Sequence, residues 1–247
     1  MKKEYVCYLC GNSIVEMDLS RDHVPAGQFF PKIFRTINED KLWKLPAHKS
    51  CNNNYHLDEE YFFFSLVPLT YGTPTGEEMW AELKRRFDED ADKMRRQVHE
   101  GKTPRGSWEK LGHQVKKEFK DRTPGGIILP GGKIVKDIDR KRIYNVLWKV
   151  VQGLCYRDFE RLLIGDFKPQ INEHYPGDEL LDCFKPVVAQ EKRGIFHRYF
   201  DYTVLQGKAV QGHFYIWALG FWTSICYFVS FTDENCQCEK CLISLKK

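Results

Sequence analysis

The chain has 247 residues, of which 42% are hydrophobic, 29% charged and 14% aromatic. That is too apolar and aromatic for a disordered chain, and long enough for one large core or two modest ones. The net charge is only +4, but residues 84–149 hold 19 basic and 10 acidic side chains, an imbalance that suits either a surface facing a polyanion or a solvated helical face.

Met1-Lys-Lys-Glu4 leads into a polar, Cys-containing stretch, so no secretory leader is expected. Nine cysteines, unevenly clustered, suit a reducing, cytoplasmic setting better than a disulfide framework. Residues 1–66 are turn-rich, and Asp58-Glu59-Glu60 read as the acidic start of a helix running into Tyr61-Phe-Phe-Phe64. Pro68 and the stretch from Tyr71 to Gly76 read as a linker or helix boundary, and a division is expected between domains 1–67 and 68–247. Residues 77–99 predict a helix with Met79, Trp80, Leu83, Phe87 and Met94 on its apolar face.

Residues 127–136 read as a hairpin about Pro130-Gly-Gly132, because the G-x-x-x-x-G-K-[ST] spacing of a phosphate loop is missed by one residue. Asp137 or Asp139 would cap a helix whose apolar positions are Ile143, Val146, Leu147, Val150, Val151 and Leu154. Residues 195–231 predict an antiparallel meander with turns at Gly207 and Gly212 and a joint near Ala218 to Phe221. The run Phe214–Phe231 has eighteen uncharged residues, but its aromatic, Gly- and Ser-containing composition suits two strands rather than a membrane span, and no membrane partner is expected. The fold class is therefore α+β, mainly helical in the middle with a basic segment at 84–149, and an antiparallel sheet towards the C-terminus.

Chemistry concentrates near the N-terminus. Cys7-x-x-Cys10 and His48-x-x-Cys51 each carry two ligands at knuckle spacing, and thiolate with imidazole suits zinc rather than magnesium. Asp22 and Asn52 offer hard oxygen atoms for a Mg²⁺-like cation, Mg²⁺ or Mn²⁺, and His23 is a base that titrates near neutrality. Closing a zinc site would draw Cys51 towards Cys7 and Cys10, and with it Asn52 towards Asp22. Cys236, Cys238 and Cys241 could take a second metal with Cys226 or His213 as fourth ligand. Lys116, Lys117, Lys120, Arg122, Lys133, Lys136, Arg140, Lys141 and Arg142 are the candidates for contact with DNA phosphates, giving affinity without reading sequence.

Taken together, Cys7-x-x-Cys10, Asp22-His23-Val24-Pro25 and Pro46-Ala47-His48-x-x-Cys51-Asn52-Asn53, with Asp58-Glu59-Glu60-Tyr61, resemble the HNH endonuclease, or ββα-metal, family with a zinc knuckle. The resemblance covers residues 5–62 and is similar to the stand-alone bacterial type; its zinc arrangement also resembles that of phage Holliday-junction resolvases. It implies an N-terminal ββα-metal module and a metal-dependent endonuclease hydrolysing DNA phosphodiester bonds. In that reading His23 is the general base, Asp22 and Asn52 hold the Mg²⁺-like ion, and Cys7, Cys10, His48 and Cys51 hold a structural zinc. His48 stands where the family usually has Cys, the family's middle Asn is expected near Lys41 with Asn38 as a poor substitute, and His56 is a rival metal ligand. Analogy with mobile-element and anti-phage nucleases implies a regulatory protein partner, and cutting both strands implies a homodimer. The alternative is a catalytically silent zinc-knuckle module that only binds nucleic acid or a protein.

Overall fold

A computed structural model describes residues 4–101, 138–174, 179–208 and 212–234. The expected hairpin at 127–136, the basic side chains Lys116, Lys117, Lys120, Arg122, Lys133 and Lys136, and the Cys236/Cys238/Cys241 cluster lie outside these residues. The architecture is α+β. The chain begins with short strands β1 (Tyr5–Val6) and β2 (Ser13–Ile14), followed by β3 (Leu19–His23), helix α1 (Lys32–Ile37) and β4 (Lys44–His48). Helices α2 (Lys49–Asn53), α3 (His56–Leu66), α4 (Pro74–His99) and α5 (Arg140–Phe159) come next. The remaining elements are β5 (Gln170–His174), α6 (Lys185–Val188), β6 (Arg193–Ile195), β7 (Phe200–Lys208), β8 (His213–Phe221) and β9 (Ile225–Asp233).

Two compact units form, each drawn from separated stretches: 1–25, 40–54 and 147–247 in the first, 26–39 and 55–146 in the second. The first contains a five-stranded antiparallel sheet in the order β5-β9-β8-β7-β6. Its strands are built from aromatic and β-branched residues, which fit a pleated, half-buried surface. Tyr202, Tyr215, Trp217, Phe221 and Tyr227 are all buried. The uncharged run at 214–231 is thus β8 and β9, and no helix among the described residues is long and apolar enough to cross a membrane.

The joint between those strands is not at Ala218–Phe221. Strand β8 continues through Phe221, and the chain turns at Trp222-Thr223-Ser224 with Trp222 and Thr223 at φ +52° and +57°. Gly220 marks a close approach instead: it pairs with Asp201, and a Cβ there would lie 2.3 Å from the Asp201 carboxylate. Gly207, also expected in a turn, lies inside β7.

Helix α5 carries the expected apolar stripe, with Ile143, Val146, Leu147, Val150, Val151 and Leu154 all buried. Asp139 caps it, accepting from the Arg142 N–H at 3.4 Å. Within the first unit, every residue from Lys149 to Cys155 is buried, so the helix is enclosed on all sides there. Trp148 packs edge-on against Phe231 of β9, and Phe159 against Trp217 of β8.

In the second unit, α3 buries every residue from Glu59 to Leu66, with Phe62 stacked on Phe29. The segment expected as a linker or helix boundary begins α4: Pro74 takes the first helical position, and the Thr73 hydroxyl accepts from the Gly76 N–H at 3.0 Å. Phe87, expected on the apolar face, is 38% exposed, whereas Glu82 and Arg86 are buried. Arg86 donates to Glu82 at 2.8 Å and to the Gln28 carbonyl at 2.8 Å, so polar pairing takes the place of apolar packing along this stretch.

Candidate functional site

The β1–β2 hairpin carries Cys7 and Cys10 in its turn. There the Cys7 N–H donates to Asn12 O (2.9 Å), and Gly11, at φ +77°, returns a bond to Cys7 O (2.8 Å). The Tyr8 N–H donates to Pro46 O at 3.1 Å, tying this knuckle to β4. β4 ends at His48, and α2 places Cys51 within its first turn. One potential ligand atom from each of Cys7, Cys10, His48 and Cys51 lies within 4.8 Å of every other. His48 Nδ1 faces Cys10 Sγ at 3.3 Å and Cys51 Sγ at 3.8 Å, while its Nε2 lies 3.2 Å from Ser13 O. An Nε2–H donated to that carbonyl leaves Nδ1 unprotonated and oriented as a ligand.

Burial tends to raise the Cys7 pKa, yet hydrogen bonds from the backbone of His48, Cys10 and Leu9 bring it below the ordinary thiol value. Burial, together with the neighbouring Cys7 and Cys10 sulfurs, pushes the Cys51 thiol up to about 12. Three converging sulfurs and an imidazole are the donor set of a structural zinc centre, and this cluster could hold one.

The strand after the first Cys pair leads to Asp22 and His23. β3 and β4 pair antiparallel with Asp22 opposite Leu45 and His23 opposite Lys44. Ser20 and Asp22 lie two apart and share a face of β3. On that face Asn52, next to Cys51 on α2, donates Nδ2–H to Ser20 Oγ at 3.1 Å. Asp22 is only 4% exposed and accepts from the Tyr8 hydroxyl at 2.6 Å. Asp22 and Asn52 converge on a single group, the Lys149 ammonium of α5: Nζ lies 2.8 Å from Asp22 Oδ2 and 3.2 Å from Asn52 Oδ1. Lys149 is itself 2% exposed. His23 ends β3, half-buried.

The pair does not fit a Mg²⁺-like ion with the side chains as they stand. The space between the two oxygens already holds a buried cation. A divalent ion about 4 Å from an ammonium would be opposed by roughly 8 kcal/mol at an effective dielectric of about 20.

Lys149 and Tyr8 were not among the residues singled out from the sequence. A signal existed for the lysine: between Ile143 and Tyr156 it is the only charged residue in an otherwise uncharged helical stretch. Such a charge, where the helix is enclosed, needs a partner.

The other candidates fall elsewhere. His56 heads α3 in the second unit, where its Nδ1 meets Glu60 Oε1 at 3.3 Å. Lys41 ends a 3-10 turn, and Asn38 spends its side-chain amide closing α1, donating to Phe34 O at 3.0 Å. Arg140 and Lys141 are exposed at the start of α5. Arg142 is engaged within the second unit: it pairs with Asp58 at 2.7 Å and lies over the Tyr61 ring. Comparison with protein-family models, curated proteins and solved structures found no match to the chain.

Proposed function

We propose that the chain is an HNH-type endonuclease hydrolysing DNA phosphodiester bonds, with the segment from β1 to α2 as its catalytic module. What supports this reading is the convergence of Asp22, from β3, and Asn52, from α2, on one buried cationic position beside a Cys₃His cluster. A purely structural zinc site needs neither residue. In this reading zinc fixes the two knuckles, and the hairpin β3–β4 presents His23 at its end. The His23 imidazole takes a proton from water as the oxygen attacks phosphorus in line. The new P–O bond forms as the bond to the 3′-oxygen breaks, and that oxygen leaves with the electron pair and is protonated by solvent. Asp22 and Asn52 are the residues that would hold the Mg²⁺ or Mn²⁺ ion implied by the resemblance, and the Lys149 ammonium lies between their oxygens.

DNA is the proposed partner, cytoplasmic mobile-element or anti-phage work the proposed setting, and a homodimer or a gating protein the proposed means of controlled double-strand cutting. A second reading has one observation in its favour. The buried Asp22–Lys149 pair satisfies the site internally, as a catalytically silent zinc-knuckle module would. Incubation with supercoiled plasmid separates the two. Wild type is expected to nick, and His23→Ala to lose about 10²-fold or more of the rate with its zinc content unchanged. Equal rates for the two proteins would overturn the assignment of His23 as the base, and no nicking by either would favour the silent module.

A further inference from the structure

The Asp22/Asn52 site contains a cation supplied by the chain itself. Lys149 reaches it because α5 passes very close to the end of β3. One turn further along the helix, Gly153 faces Val24, and a Cβ at Gly153 would lie 2.6 Å from a Val24 methyl. Only a residue without a side chain lets the helix come this near, and the approach delivers the Lys149 ammonium between the two oxygens. Three groups meet there: Lys149 and the Tyr8 hydroxyl on the same oxygen of Asp22, and the amide oxygen of Asn52 on Lys149. The carboxylate is therefore neutralised and hydrogen-bonded without an added metal.

We propose that the Lys149 ammonium is the resident cation of the Asp22/Asn52 site, and that a divalent ion does not enter while Lys149 is in place. The inference builds on the reading of Asp22 and Asn52 as a cation-binding pair, and deepens it by naming the cation. Zinc is untouched, since its four ligands form a separate cluster. Lys149 acts here as a positioning residue, holding Asp22 and Asn52 at a fixed separation through its own ammonium.

The test is Mn²⁺ binding to full-length protein, read from loss of the free-Mn²⁺ electron paramagnetic resonance signal, with zinc content checked in every variant. Wild type is expected to leave the signal unchanged. Lys149→Met removes the charge but keeps most of the stem, and should bind Mn²⁺ at least about tenfold more tightly than wild type. Adding Asp22→Asn to Lys149→Met should abolish that gain. Lys149→Arg retains a positive charge and should bind no more than wild type; it keeps the test decisive if the methionine variant loses its zinc or its fold. Mn²⁺ taken up by wild type and lost in Asp22→Asn would overturn the proposal, as would an arginine variant that binds Mn²⁺ as the methionine variant should. Plasmid nicking, measured in parallel, separates this inference from the nuclease reading. Absence of nicking together with Mn²⁺ exclusion by wild type would retire the nuclease and keep the resident lysine. Nicking that requires Mg²⁺, with Mn²⁺ lodged at Asp22, would retain the nuclease and retire the lysine.

Discussion

Gly153 carries a constraint that can be tested at the level of one atom. In an exposed helix, Gly→Ala stabilises by about 1 kcal/mol through backbone entropy. Here the added methyl would meet Val24 at 2.6 Å, and the β3 end and α5 would have to separate. Gly153→Ala is therefore expected to destabilise by about 1–3 kcal/mol in denaturant unfolding, the opposite sign from helix propensity. The Cys7/Cys10/His48/Cys51 cluster was legible in the sequence because ligand type and two-residue spacing fix local geometry whatever the rest of the fold does. Lys149 was not, since it meets Asn52 across 97 positions of chain, and only tertiary packing decides which lysine fills that space. The Arg142 pairing was not legible for a related reason: composition shows a cluster of positive charge but not its partners, and Asp58 lies 84 positions away.

Among the elements, α4 shows most clearly how charge replaces apolar contact. Burial pushes the Glu82 carboxyl up, but hydrogen bonds from Arg85 and Arg86 outweigh it and hold the pKa down at about 2. Its side chain is 5% exposed. A carboxylate whose folded pKa is depressed adds stability above its unfolded pKa, and loses it as pH falls through the folded value. The Glu82 contribution is thus full at neutral pH and declines from the ordinary carboxylate range, near 4.5, down to about 2. Glu82→Gln is expected to cost about 3 kcal/mol at pH 7, because it leaves a buried arginine without its counter-charge. Urea unfolding at a series of pH values should show the gap between variant and wild type narrowing below pH ~4.5. A gap independent of pH would mean that Glu82 contributes by packing alone. Helical periodicity located α4 and α5 well, because an apolar stripe repeats over many residues. It was less decisive at ends and turns: Pro74-Thr-Gly76 begins a helix where linker and helix boundary were both open, and Gly220 serves a close approach to Asp201 rather than a bend. In both places the same residue type supports either role, and only the neighbouring chain distinguishes them.

At the scale of the whole molecule, the sequence suggests contiguous domains, 1–67 and 68–247, because composition shifts are read along the chain. The compact units draw on alternating stretches of the chain, and the first gathers 1–25, 40–54 and 147–247. Hydrophobic patterning says which faces are buried but not which distant segments bury them together. The α+β class and the C-terminal antiparallel sheet were legible because aromatic alternation over β7, β8 and β9 is strong and local. The N-terminal knuckles have little apolar surface of their own: Cys7 and His48 stand 41 residues apart, with short two-residue strands beside them. A metal joining such distant positions removes loop-closure freedom and can supply much of the local folding energy.

A zinc ion held by Cys7, Cys10, His48 and Cys51 would fix α2, and with it Asn52, against the Asp22 face of β3. The most direct test is the metal content of freshly purified protein that has met no chelator, determined by plasma emission spectrometry on the wild type and on Cys51→Ala. About one zinc per chain is expected in the wild type, and its loss in the variant. Wild-type protein free of zinc would contradict that expectation.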